Sequence, residues 1–301
     1  MTTAVLAGAG VGFALRQVKR ELPPRKVPML GLAAAFLFAA QMVNFPVAYG
    51  TSGHLIGGAL VAALLGPSAA VVVVTTVLIV QCLLFADGGL MALGANIFNM
   101  AIVDSVSGYV VYRLVGGVLP GVRGQVSALA FAGWCSAVLA SVCCAGQLAW
   151  SGTMSWSAGF PAMANTHMLI GIGEGLISAL VFLGIRRTRP EMISEVNPQG
   201  QTPRWGQLAA YGLLASLGVA IFVAPFACGW PDGLESVAAK LGFQNKAAHS
   251  LLAGLAPGYQ APGIHWAVGA TAIAGVTGAI IAFLLALILG RLLVPRRQEA
   301  R

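Results

Sequence analysis

The sequence predicts an all-α membrane protein: a polytopic transmembrane helical bundle of about seven spans, then a two-span C-terminal unit, with the N-terminus outside. Three observations predict it. Of the 301 residues, 58% are hydrophobic and only 9% are charged, against about 25% charged in ordinary soluble domains. Mean hydropathy is +0.85, and apolar runs recur at lengths near the ~17 to 25 residues that cross a bilayer. Glycine, 39 of 301 residues, is nearly double its usual share of about 7%. Small residues let membrane helices pack closely, and they permit breaks where protein covers the backbone. These figures exclude a typical soluble globular protein and make the lipid bilayer the main solvent.

In chain order, apolar runs ended by breakers place spans near residues 1–15, 28–46, 54–66, 69–86, 91–112, 126–150, 164–185, 207–226 and 266–290. The first lacks a basic leader and a cleavage site, so it reads as neither signal peptide nor full-length span. Gly50-Thr51-Ser52-Gly53 precedes the short third segment, which suggests a bent or re-entrant entry. Residues 187–206 form a polar, proline-containing cytoplasmic linker. It separates a domain over 1–186 from a two-span unit over 207–301 whose outer loop covers 227–265.

The net charge is +8, and its placement is informative. With the N-terminus outside, the inner loops hold every Lys and Arg of the 17 except Lys240 and Lys246, the bias expected of cytoplasmic loops. No basic window is interleaved with stacking aromatics, so nucleic-acid binding is not expected. The five cysteines show no C-x-x-C spacing and read as small hydrophobes within helices. All four histidines fall on the outer side of this map: His54 opening the third segment, His167 opening the seventh, and His249 and His265 in the last outer loop.

The polar run Gln41-Met-Val-Asn44-Phe-Pro46, continuing to Gly50-Thr51-Ser52-Gly53-His54, is the richest in chemistry. An imidazole, two amides and two hydroxyls at a membrane edge are costly to bury without partners. The partners are a bound ion or one another. Asp104 and Glu174 lie inside apolar segments, where acids are expensive and usually functional; Asp104 can also bond locally beside Ser105 and Ser107. Asp87 in Asp-Gly-Gly suits a turn or an outer cation attractor. Asn96 and Asn99, three apart on one helical face, either brace the polar loop or join two helices.

Longer motifs carry a resemblance. Ala35-Phe-Leu-Phe-Ala-Ala-Gln41-Met-Val-Asn44-Phe-Pro46-Val, Gly50-Thr-Ser-Gly-His54-Leu-Ile-Gly-Gly58, Leu84-Phe-Ala-Asp87-Gly-Gly-Leu, Leu93-Gly-Ala-Asn96-Ile-Phe-Asn99-Met and His167-Met-Leu-Ile-Gly-Ile-Gly-Glu174 resemble the CbiM/NikM family. Its members are the substrate-capture membrane components of cobalt and nickel energy-coupling-factor ABC transporters. Pro231-Asp-Gly-Leu-Glu235 and Lys240-Leu-Gly-Phe243 resemble the small accessory subunit of such systems, here fused.

The resemblance implies Co(II) or Ni(II) as transported substrate, with His54 as a metal ligand and Gln41, Asn44, Thr51 and Ser52 orienting it. Amine, backbone amide and imidazole nitrogens in a flat array suit Ni(II) or a related metal. It also implies a transmembrane coupling subunit and two cytosolic ATPases as partners, and the inner membrane of a prokaryote as location. Ala35 and Ala39 offer a small-residue face for the coupling subunit or for packing within the chain. The family's second-position histidine is replaced by Thr2, and its opening Met-His-Ile-Pro-Asp-Gly stretch is absent. That points to a native start upstream of Met1, with a divergent member as the alternative. No G-x-x-x-x-G-K-[ST] is present, so no nucleotide site is expected in this chain.

Three other readings stand beside this one: a scaffold subunit that binds no metal, an ion- or proton-coupled permease using Asp104 and Glu174, and a rhomboid-like serine protease. The last would use Ser52 in Gly50-Thr51-Ser52-Gly53, with His167 as its base.

Overall fold

In the computed structural model, which describes residues 2–189, 205–246 and 253–294, every apolar segment read from the sequence forms a helix. Helix α1 (Thr2–Glu21) runs past its expected end at residue 15. Arg, Gln, Lys and Glu are good helix formers, and Gln17 donates to the Glu21 carboxylate one turn on, at 2.7 Å. The turn Pro23-Pro24 stops it.

Helix α2 (Val27–Gln41) ends before Asn44-Phe45-Pro46. Helix α3 (Gly58–Leu65) has only eight residues, and α4 (Pro67–Phe85) follows at once through Gly66, whose φ of 90° needs glycine. Helices α5 (Gly89–Asn96) and α6 (Asp104–Val118) are joined by a π-helical stretch, Ile97–Val103, and together cross as one rod. The long pair α7 (Gly121–Trp150) and α8 (Trp156–Thr188) follows. Then come α9 (Trp205–Phe222), the short α10 (Gly233–Leu241) and α11 (Ala267–Leu293).

Among the described residues, six helical stretches are long and apolar enough to cross a membrane: 67–85, 89–118, 121–150, 156–188, 206–226 and 267–293. Helices α2 and α3, at 15 and 8 residues, fall short of that length. Two expectations change. His54 precedes α3 instead of opening it, because the backbone becomes helical only at Gly58. His167 lies three turns inside α8, because that helix already starts at Trp156. The linker residues 190–204 and His249 lie outside the described residues.

Helix α2 is the buried axis. Leu30, Ala34, Ala35, Leu37, Phe38 and Ala39 are fully covered, with α4, α9 and α11 around them. Ala35 and Ala39 therefore face other parts of this chain and offer no surface to a coupling subunit. Gly31 admits the Phe283 backbone and Gly278 admits the Phe38 ring, so the C-terminal pair is seated directly on α2.

The helix ends sort by charge. Arg186 donates to Gln125 near the start of α7, Gly290 packs on Val27 and Leu30, and Gln17, Glu21 and Lys26 share a cavity with Leu65 and Pro67. The basic residues near these positions thus gather at one end of the bundle, opposite His54.

Lipid tails are as apolar as leucine, so helices in a membrane associate through close packing more than through the hydrophobic effect. Helices α7 and α8 meet at glycine: a Cβ on Gly175 would lie 2.2 Å from the Ala130 carbonyl oxygen, whereas one on Gly184 would meet nothing within 4 Å. Gly175→Ala should accordingly lower thermal stability in detergent by about 1–3 kcal/mol of overpacking, and Gly184→Ala should leave it unchanged or slightly raised. Equal melting temperatures for the two variants would contradict this packing.

Candidate functional site at the folded-in loop

The loop from Met42 to Gly57 turns back into the bundle. Phe45–Pro46 (β1) pairs antiparallel with Ser52–Gly53 (β2), Phe45 opposite Gly53 and Pro46 opposite Ser52. The tip turns through Tyr49 and Gly50, whose φ values are 55° and 71°. Gly53 lies under Ile170, and Gly57, with φ 80°, lies against Leu37; side chains there would hold the loop out of the bundle.

Backbone groups carried into an apolar interior need partners. Glu174, itself fully buried, accepts the Ile56 N–H at 2.6 Å and the Gly57 N–H at 2.9 Å. Gln41 donates to the Ile56 carbonyl at 2.9 Å and accepts from Gln81 Nε2 at 2.9 Å. His54 sits two residues earlier, half-buried, with Nδ1 3.3 Å from the Leu55 carbonyl. A tautomer that donates from Nδ1 leaves Nε2 with a free lone pair, the form in which imidazole binds metal.

Residues 228–236 lie across this hairpin. Cys228 N–H donates to the Asn44 carbonyl and Ser52 N–H to the Pro231 carbonyl, both at 2.8 Å. The Ser52 hydroxyl donates to the Trp230 carbonyl at 2.7 Å, and Thr51 and Ser236 share a hydrogen bond of 2.7 Å. Asp232 and Glu235 close a reciprocal capping box that starts α10. Gly233 gives that start room against the His167 ring. His167 pairs through Nδ1 with the Met163 carbonyl at 2.9 Å.

Farther along, Leu255 and Ala256 N–H groups donate to the Leu84 carbonyl at 2.8 and 2.9 Å. The Tyr259 ring stacks on Phe85 at 4.8 Å, and its hydroxyl donates to Asp87. Burial and the Asp87 charge push the Tyr259 phenol well above its usual range, so it remains a donor at neutral pH. Asp87 thus has a partner beyond its turn.

Of the expected residues, Gln41, Thr51 and Ser52 hold the loop and not the imidazole itself, and the Asn44 backbone carbonyl receives the Cys228 N–H. Asn99 joins helices: it exchanges two amide bonds with Gln147 on α7, at 3.1 and 2.8 Å. Asn96 lies beside Gly88. Asp104 does not bond to Ser105 or Ser107. Ser107 returns to the Val103 carbonyl, and both Asp104 oxygens and Ser105 Oγ have no hydrogen-bond partner. The protease reading fails on geometry, since the Ser52 hydroxyl donates to backbone carbonyls of Trp230 and Pro231 and His167 is bonded to the Met163 carbonyl rather than to Ser52.

Sequence reading missed Gln81, Gln147, Tyr259 and Ser236. The first two carried a signal, an uncharged amide alone in an apolar run. Among the described residues no three His, Cys, Asp or Glu side chains converge on a metal position.

Residues 1–192 match the family of cobalt uptake substrate-specific transmembrane regions, and residues 206–295 match the PDGLE domain. A putative fused nickel transport protein from Archaeoglobus fulgidus is 36% identical over 95% of this chain and 92% of its own. A fused nickel transport protein of Rhodobacter capsulatus is 32% identical over 73% of this chain and 70% of its own. The crystal structure of a truncated transition metal transporter superposes with a TM-score of 0.55 at 32% identity, covering 62% of this chain and 94% of that one.

Ser52→Ala removes the hydroxyl that is shared between the Trp230 and Pro231 carbonyls, a loss of about 1 kcal/mol, while the Ser52 N–H bond to Pro231 persists. Amide hydrogen exchange over residues 47–54 should quicken several-fold in that variant, and exchange in α7 should not change. Unaltered exchange in the loop would mean that the hydroxyl does not hold it.

Proposed function

We propose, for a chain that belongs to the family of cobalt uptake substrate-specific transmembrane regions and carries a C-terminal PDGLE domain, that it captures Co(II) or Ni(II) for uptake through His54. The chain is a multi-pass membrane protein and a metal-transport component, not an enzyme. The observation that carries the reading is the half-buried imidazole on a loop held inside the bundle by Glu174 and Gln41 and covered by the 227–236 segment. An imidazole nitrogen on a pre-positioned loop binds a late transition metal without first paying to order the chain.

Further donors would come from backbone amides or from the chain's amino end. The clustering of basic residues opposite His54 supports His54 facing outward in a prokaryotic inner membrane. A transmembrane coupling subunit and two cytosolic ATPases would supply the energy. Residues 1–186 would form the capture domain, 187–206 the cytoplasmic linker and 207–301 the accessory unit that closes the loop from outside.

In cells expressing the complete transporter, His54→Ala should abolish radioactive nickel or cobalt accumulation at normal membrane expression. Full accumulation would remove His54 from the mechanism. Omitting the ATPases should also abolish it. Accumulation that survives their loss but stops when the proton gradient is collapsed would favour a proton-coupled permease.

A further inference from the structure

Asp104 and Glu174 are both completely buried, and they meet the same short stretch of chain from two sides. Glu174 accepts from Ile56 and Gly57. Asp104 lies against Gly58, where a Cβ would come within 2.3 Å of Oδ2. These residues open α3, where N–H groups lack intrahelical acceptors and the helix dipole is positive.

The two acids differ in their surroundings. Both Glu174 oxygens accept a directed N–H bond, an arrangement that suits an ionised carboxylate. Both Asp104 oxygens lack a directed partner, as do Ser105 Oγ, which also faces Gly58, and Ser178 Oγ, one turn beyond Glu174. The backbone of Gly58 and Ala59 and the Ser136 hydroxyl approach the Asp104 carboxyl and favour its charged form without reaching directed hydrogen-bond geometry; Ser136 donates to the Gly133 carbonyl.

Two negative charges inside a membrane bundle, met only by backbone N–H groups and hydroxyls, cost several kcal/mol each. Among the described residues, the titratable group that bears on Glu174 is Asp104, and α3, α6, α7 and α8 bring no cationic side chain to either acid. No side chain on these helices neutralises either acid, and one proton is the smallest ligand that would remove one of the two charges.

We propose that Asp104 and Glu174 form an internal acid pair that binds one exchangeable proton, carried on Asp104 while Glu174 stays ionised and holds the loop. The proton forms one O–H bond to an Asp104 oxygen and leaves to water when the site opens; no electrons move. Glu174 grips the second and third residues after His54, so passing the proton to Glu174 occupies an oxygen that now accepts from Ile56 or Gly57, and it loosens the loop. The link to metal release rests on the capture reading above; the proton site does not.

The test is infrared difference spectroscopy of the full chain in lipid vesicles, titrated with acid and base in H2O and D2O, with no Co(II) or Ni(II) present. One carbonyl band of a buried protonated carboxyl is expected, moving to lower frequency in D2O. Asp104→Asn should abolish it. Glu174→Gln should shift its titration to lower pH, because the neighbouring negative charge that favours the proton is gone.

A wild-type spectrum without the band at neutral pH would overturn the proposal, as would a band that survives Asp104→Asn. Loss of the band on adding sodium or potassium at constant pH would also overturn it and assign the pair to a metal cation. If Asp104→Asn does not fold, the direction of the Glu174→Gln shift decides. Because these spectra contain no transported metal, failure here and failure of His54→Ala to abolish accumulation are separate outcomes.

Discussion

The structure depends on one interaction, the grip of the Glu174 carboxylate on the N–H groups of Ile56 and Gly57. A loop cannot enter an apolar bundle unless its backbone groups are satisfied, and this loop enters in the short span between α2 and an eight-residue helix. An acid on a neighbouring helix provides two acceptors at the point of deepest entry. Gln41 completes the turn from the opposite side by donating to the Ile56 carbonyl. His54 inherits its position from these bonds and has no direct side-chain tether to another helix among the described contacts.

The C-terminal unit acts on the same loop from outside. It does so through backbone groups, Cys228 to Asn44 and Ser52 to Pro231, and through two hydroxyl contacts, Ser52 to Trp230 and Thr51 to Ser236. At Gly233 the contact admits no side chain, since a Cβ there would strike His167. The capping box of Asp232 and Glu235 then fixes the direction of α10, and Val237, Ala238 and Phe243 pack with Ala145 and Met163 to hold that helix on α7 and α8.

Much of this was legible in the chain, for definite physical reasons. A membrane span announces itself by composition, so the apolar segments coincide with helices. Their ends were less visible: α1 continues through Arg16 and Lys19 because helix propensity does not depend on polarity. The polar residues of the loop were identifiable because burying them is costly, and Glu174 for the same reason. Their partners were not. Ser52 to Trp230 and Thr51 to Ser236 span about 180 positions of sequence, and nothing local encodes such a pairing. Asp104 shows the opposite limit: sequence proximity suggested Ser105 and Ser107, yet the helix points its carboxyl at Gly58.

The anchors of the loop lie on different elements: Glu174 on α8, Gln41 on α2 with Gln81 behind it on α4, and the Trp230–Ser236 segment above. A loop held by a single helix would ride with it unchanged. A loop held by several must deform when they move relative to one another, because hydrogen bonds weaken steeply with misalignment. Displacement of α8 against α2 by a few tenths of an ångström would therefore be felt at Ile56 first and at His54 two residues later. The α7–α8 pair packs through glycines that leave almost no slack, so it would move as one body, with Glu174 as its hand on the loop. Rigidity in that pair and distributed anchoring of the loop would together let a movement imposed at the basic end of the bundle reach the imidazole at the other.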